Sequence, residues 1–253
     1  MLGGLTRGPS DGTRGPSEGK SREPDSDSAA LTSEFTTRGV EAADLGAGTG
    51  ILTRQLIGLG CRCVAVEPDR QMREQCAARL TSGGRTNSAQ VMEGTAEAIP
   101  LPDHSLDVVF AGQAYHWFDV AKAHPEIARV LRPGGIFAPI WNIRDESEPW
   151  VAQLTKLIQS NDGTGAHAGW RNPPLGEHFS DVRQRTFRHA VRHTPGSLRD
   201  LLHSRSYYLT ESAAGRATLD RDMGDLLANH PQLSGRDEFD LPYLTVAYQA
   251  RRR

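Results

Sequence analysis

From Val40 onward the chain alternates short apolar runs with segments of helical spacing, and glycine or proline stands at most of the switches. Val40 to Leu45 predicts a strand, with Glu41 an awkward member, and runs into Gly46, Gly48 and Gly50. Leu52, Leu56 and Leu59 recur at i, i+4 and i+7, which predicts a helix from Ile51 that ends at Gly60. Cys61 to Val66 reads as a second strand closing on Glu67-Pro68. Asp69 then stands where a cap belongs, before a helix carrying Met72, Cys76 and Leu80 on one face. Past a polar loop at 82–88, strands are predicted near Gln90 to Glu93 and at Leu106 to Ala111. A helix containing Ile127, Val130 and Leu131, a Pro133-Gly134-Gly135 turn and a strand from Ile136 to Trp141 follow. Pro125 marks a start or a kink in that helix, and Pro139 removes a ladder donor from that strand.

The second half is less regular. Trp150 to Ile158 predicts a helix, and Asn161 to Gly176, rich in Gly, Asn and Pro, predicts a loop. Arg185 to Arg192 reads as a strand, Ser197 to Leu209 as a helix capped by Ser197, and Met223 to Ala228 as part of another helix. Tyr243 to Tyr248 reads as a terminal strand. Strands alternating with helices imply an α/β, doubly wound, mainly parallel sheet with helices on both faces, here with an antiparallel edge. Such sheets bind ligands at the carboxyl ends of their strands.

Composition separates the amino-terminal segment from the rest. Residues 1–34 hold 6 Gly, 3 Pro and 6 Ser and almost no large apolar side chains, so they cannot build a core. A near-repeat, Thr6 to Gly12 and Thr13 to Gly19, marks the same segment as low-complexity. A disordered tail at 1–34 and one domain at 35–253 are therefore expected. Lys plus Arg is 29 against 31 for Asp plus Glu, so no global basic field draws the chain to nucleic acid or an anionic membrane. No run reaches the roughly 18 to 20 apolar residues of a membrane span, and none resembles a signal peptide. Cys61, Cys63 and Cys76 are too few for a disulfide framework and lack metal-ligand spacing, which points to buried thiols and the cytoplasm.

The chemistry sits at the strand ends. Asp44-Leu-Gly-Ala-Gly-Thr-Gly50 joins a strand to a helix, where glycine lets backbone approach a ligand and the helix start offers free N–H groups. Glu67, 21 residues past Gly46 at the end of the next strand, can accept both hydroxyl protons of a ribose. The GxGxG spacing, and the negative charge of Asp44 before it, argue against a pyrophosphate-binding dehydrogenase.

Together DLGAGTG, VAVEPD, GTAEAIPLPDHSLDVVFAGQAYHWFD and EIARVLRPGG resemble the successive motifs of class I S-adenosylmethionine-dependent methyltransferases. More narrowly they resemble the small-molecule methyltransferases whose fourth-strand motif ends in His-Trp-Phe. WNIRDESEPWV and LPYLTVAYQ extend the resemblance over about Val40 to Ala250.

The resemblance implies S-adenosylmethionine as cofactor, a small-molecule methyl acceptor as partner, and a seven-stranded sheet. It places Asp44, Gly46, Ala47 and Gly48 around the amino-acid part of the cofactor and Glu67-Pro68 at its ribose. Thr95, Ala96 and Glu97 fall where the family reads the adenine, with Thr95 in place of the usual Asp. Gln113 faces the methionine part and the acceptor. Aromatic faces at Tyr115, Trp117 and Phe118 can stabilise a sulfonium cation by about 0.5 to 2 kcal/mol, or can simply pack the sheet edge. His116 can take a proton from the acceptor, or be satisfied by local hydrogen bonds. Trp141, Asn142 and Arg144, with His167, Trp170 and Arg171 of the glycine-rich loop, are candidates for the acceptor wall. No metal is expected. A second reading is a binding module or impaired relative, because family members carry a folded, site-closing segment where residues 1–39 offer low complexity.

Overall fold

A computed structural model describes residues 39–82, 89–159, 173–204 and 206–253. The predicted tail and the candidates His167, Trp170 and Arg171 lie outside the described residues. The elements run β1 Glu41–Leu45, α1 Ile51–Gly58, β2 Arg62–Val66, α2 Arg70–Ser82, β3 Ala89–Met92 and β4 Leu106–Gly112. A 3₁₀ turn at Tyr115–Trp117 leads to α3 Val120–Val130, β5 Leu131–Arg144, α4 Pro149–Gln159 and β6 Phe179–His193. The chain ends with α5 Pro195–His203, α6 Ser206–Thr210, α7 Ala213–Asn229 and β7 Phe239–Arg252.

The seven strands form one sheet in the order β3-β2-β1-β4-β5-β7-β6. The first five are parallel, and β7 runs antiparallel to both its neighbours. The expected doubly wound sheet with an antiparallel edge is thus the observed architecture. Alternation along the strands sorts side chains between two helical layers. Ala42 joins Leu56, Ile57, Cys63, Cys76 and Leu80 under α1 and α2. Its neighbours Ala43 and Leu45 face the other way, into the cluster of Ile127, Val130, Phe137 and Trp141 beneath α3. A separate apolar cluster lies between α4, α5, α7 and the start of β7, around Trp150, Leu154, Met223 and Leu241.

Several predicted details change. Cys76 and Leu80 are buried on α2, whereas Met72, in the first turn at the sheet's rim, is exposed. The third helix begins five residues before Pro125, because Val120, Ala123, His124 and Ile127 extend its apolar face toward the amino terminus. Pro125 sits on the exposed side, where water can satisfy the carbonyl left without a donor. Leu131 belongs to β5 rather than to the helix, and Pro133-Gly134-Gly135 is a bulge inside that strand. The register steps from Leu106↔Leu131 to Val108↔Ile136 across it, and Gly134 takes φ +75°.

Pro139 keeps its place opposite Ala111 of β4, while pairing toward β7 steps from Phe137↔Ala250 to Ile140↔Ala247, past the missing donor. Thr194, not Ser197, caps α5. Its Oγ1 accepts from Ser197 N–H at 3.1 Å while Ser197 Oγ accepts from Thr194 N–H at 2.9 Å, a reciprocal capping box. The three cysteines are free and buried, and burial pushes their thiols above the ordinary range.

Candidate functional site at the carboxyl edge of the sheet

Strand order reverses between β1 and β4, since β1 leads outward to β2 and β3 while β4 leads the other way to β5. That switch point is where open α/β sheets bind ligands. The loop after β1 meets the loop after β4 there. Gly46 adopts φ +66°, and a Cβ on it would come 2.7 Å from Cβ of Ala114, so only glycine lets the two loops touch. Gly48 also has positive φ, +55°, yet a Cβ on it would meet nothing within 4 Å. The backbone at Gly48 therefore borders open space, a cradle that a side chain would fill.

Glu67, at the end of β2, is 7% exposed and held from two sides. Its Oε2 accepts from Gly48 N–H at 2.8 Å and its Oε1 from Asp69 N–H at 3.0 Å. Each carboxylate oxygen keeps a further acceptor position, so the group is oriented and still able to take two hydroxyl protons. Arg73 fixes the loop beneath it by donating to the carbonyls of Glu67 and Pro68 at 3.0 and 2.6 Å and to Glu93 at 2.8 Å. Pro68 itself is exposed at the rim.

Asp44 is 1% exposed and accepts from the Thr53 hydroxyl at 2.7 Å. Burial pushes its carboxyl up to about 6, against the lowering effect of Thr53, and the neighbouring charge of Glu67 adds to the rise. A cation placed beside Asp44 would relieve that cost.

After β3, Thr95 bridges to Ala98, Ala96 is buried, and Glu97 Oε1 accepts from Asp119 N–H at 2.8 Å. Glu97 thus braces the start of α3. Gln113 ends β4 in the left-handed region at φ +56°, rare for a residue with a side chain and typical of functional turns. Its Nε2 donates to the Asn142 carbonyl at 2.6 Å, which joins the ends of β4 and β5. His116 and Trp117 stand exposed on the 3₁₀ turn, with ring centroids 5.0 Å apart and Trp117 79% exposed.

Residues 43–138 match the family model of the methyltransferase domain. An uncharacterized methyltransferase of Mycobacterium tuberculosis is 43% identical over 208 residues, 82% of this chain and 81% of that protein. One of Schizosaccharomyces pombe is 30% identical over 226 residues, 88% of either chain. The chain belongs to the class I S-adenosylmethionine-dependent methyltransferases. A solved structure from Anaeromyxobacter dehalogenans, provisionally assigned as a type II methyltransferase, shares the fold at a TM-score of 0.66 and 24% identity, covering 93% of this chain and 98% of that one.

The residues of this methyltransferase that are candidates for acceptor contact divide by burial. Tyr115 is 3% exposed, and its ring packs between Phe118, His124, Phe137 and Trp141 at centroid distances of 5.5 to 5.9 Å. Trp141, 4% exposed, packs edge-on against Tyr248. Trp141 was expected on the acceptor wall, and Tyr115 either against the sulfonium and acceptor or packing the sheet edge; both are core residues. The strand beyond β5 supplies Val246 and Tyr248 to the α3 side of the sheet, which draws these rings inward. Asn142 is exposed, and half-buried Arg144 donates from Nε to Thr155 Oγ1 of α4 at 3.0 Å. Phe118, partly buried, packs against the same core.

Thr53, Arg73 and Ala114 escaped sequence reasoning. Thr53 lies nine residues past Asp44 in the first turn of α1, and only that turn's position over the end of β1 reveals the contact. Among the described residues no cluster of His, Cys, Asp and Glu is placed to hold a metal ion, and no helix is long and apolar enough to cross a membrane.

Proposed function

We propose that this chain transfers the methyl group of S-adenosylmethionine to a small-molecule acceptor, at an oxygen, nitrogen or carboxylate nucleophile, by in-line displacement. The observation that carries the reading is the Glu67 carboxylate, buried at the end of β2 and held by Gly48 N–H at 2.8 Å beside the open cradle of the glycine turn. That donor set fits the cofactor. A fixed carboxylate suits a ribose diol, and buried Asp44 favours an ammonium over an anion.

Asp44, Gly46, Ala47 and Gly48 hold the amino-acid part, and Glu67, with Pro68 at the rim, takes the ribose hydroxyls. The 95–97 segment offers its backbone to the adenine edge. When bound, the cofactor supplies an electrophilic methyl on a sulfonium. Gln113 positions the facing atoms, and Trp117 supplies an aromatic face to the cation and the acceptor. His116 takes the acceptor's proton where the acceptor must lose one. Orientation of the two reactants supplies most of the acceleration, as it does when a bimolecular displacement is made effectively unimolecular. The three free cysteines support a reducing, cytoplasmic setting, and the near-neutral charge supports a small molecule rather than nucleic acid or membrane as partner.

Isothermal titration with S-adenosylhomocysteine is the direct test. Binding in the micromolar range, with methyl transfer to a small molecule in cell extract, is the expected result. No heat from folded protein at high micromolar concentration would overturn the reading.

A further inference from the structure

Alternation also sorts the outer strands. Trp141, Val246 and Tyr248 point to the α3 side. Their neighbours point to the opposite side, which α1 and α2 cover over the first strands and which α4, α5 and α7 cover at the start of β7 through Phe239 and Leu241. Between those two helical layers a strip of sheet stays open among the described residues. In register it reads Ile140↔Ala247↔Arg185, then Asn142↔Thr245↔Phe187. One end adjoins the site, because Gly112 pairs with Ile140 and Gln113 donates to the Asn142 carbonyl.

Of these six residues Ile140, Ala247 and Phe187 are apolar, Asn142 and Thr245 are polar, and Arg185 carries a positive charge. Arg185 is exposed and its side chain makes no hydrogen bond or ion pair with a described residue, and the same holds for the side chain of Arg183 on the same face. Arg188 and Arg192, on the other face of β6, are by contrast paired with Asp145 and with Glu238 and Asp240. Ala247, between Ile140 and Arg185 in the register, carries only a methyl group on this face. Beside it, Thr245 Oγ1 donates to Asn142 Oδ1 at 2.6 Å and lies 3.4 Å from Nδ1 of His189. The single hydroxyl proton is committed to Asn142, so His189 is the donor to Thr245 Oγ1, from Nδ1. Stacking on Tyr243 at 5.5 Å holds the ring plane. The Asn142 amide keeps its two donors.

We propose that this strip binds an oxyanion group of the methyl acceptor. The acceptor is then a small molecule bearing a carboxylate or phosphate, gripped by Arg185, while the Asn142 amide lies two strands nearer the site. This rests on the methyltransferase reading above. Three strand spacings separate Gly112 from Arg185, roughly 14 Å, so the anionic group lies several bonds from the atom that receives the methyl. A guanidinium suits such a group because its fork of donors matches paired oxygens.

The test is a titration of the S-adenosylhomocysteine-saturated protein with 4-hydroxybenzoate, phenyl phosphate and uncharged 4-hydroxybenzamide, followed by NMR, for the wild type and R185Q. At least one anion is expected to bind in the millimolar range, and added salt weakens it. R185Q weakens it about tenfold or more, while the affinity for S-adenosylhomocysteine stays unchanged. The arm that binds tells carboxylate from phosphate. Equal binding of the amide, an unchanged R185Q, or no binding of either anion would overturn the proposal. Displacement of the anions by a short oligonucleotide at far lower concentration would also overturn it, and would assign the strip to a nucleic acid. Failure of S-adenosylhomocysteine itself to bind the wild type would instead sink the cofactor reading.

Discussion

The hydroxyl of Tyr115 lies 2.9 Å from Nε2 of His124 and 3.0 Å from the carbonyl of Pro174. A phenol has one proton, which the carbonyl takes, so His124 must donate from Nε2. Tyr115 thereby ties the chain at 173–175 to the turn that carries His116 and Trp117. Tyr115→Phe leaves the N–H of buried His124 without a partner and releases the Pro174 carbonyl, at a cost of about 1 to 3 kcal/mol. Thermal unfolding should show a Tm lower by several degrees, with little change in S-adenosylhomocysteine affinity.

Burial, with the charge of His178 adding to it, lowers the His124 imidazole to about 4. The unfolded chain takes up this proton near pH 6.5 and the native state only near 4, so native stability is lost as pH falls through that window. The loss amounts to about 2 to 3 kcal/mol. His124→Gln keeps an N–H for Tyr115 and should remove this part of the acid dependence in denaturant titrations at pH 7 and pH 4.5.

Asp44 has the opposite sign. Its carboxyl is raised from 3.8 to about 6, so the native state holds the proton that the unfolded chain has already released, and stability falls as pH rises between those values. Ionised Asp44 costs about 3 kcal/mol at neutral pH. Asp44→Asn still accepts from Thr53, and it should unfold at higher denaturant than the wild type at pH 7.5 but not at pH 3.5. Cofactor binding is expected to be lost in the same variant, a site maintained at the expense of stability.

Glu67→Gln tests the ribose contact. A neutral amide offers one acceptor where the carboxylate offers two, and the affinity for S-adenosylhomocysteine should fall by about 1 to 3 kcal/mol, up to about a hundredfold. Equal affinity in calorimetry would mean that Glu67 serves only to hold the backbone of Gly48 and Asp69.

The two glycines of the turn should respond differently. Gly48→Ala meets only the strain of φ +55°, about 1 to 2 kcal/mol, because no atom stands within 4 Å of the new methyl. Gly46→Ala adds a 2.7 Å clash with Ala114 and should push the β1 and β4 loops apart. Both variants are expected to lose cofactor affinity, and only Gly46→Ala should lose several degrees more of Tm than backbone strain explains.

Much of the geometry of the candidate site was legible because it depends on local rules. Positive φ at Gly46 and Gly48, Asp69 accepting from Met72 N–H at 2.8 Å as a cap, and Glu67 at a strand end all follow from short-range geometry. The acceptor side was not legible in the same way. Tyr115 and Trp117 are two residues apart in one aromatic motif, yet one is 3% exposed and the other 79%.

The alternation of strands and helices, the glycine turn and the carboxylate that follows it are written in the order of residues alone, because periodicity and backbone freedom act within a few residues. That β7 slots between β5 and β6, with its Tyr248 packing on Trp141 and with Asn142, Thr245 and Arg185 on an open face, follows from long-range packing alone. Alternation divides a strand's side chains between two faces, but which face meets a helix depends on residues far away in the chain. For the same reason Pro139 is tolerated in a central strand: the neighbour that would have needed its N–H pairs on either side of it instead.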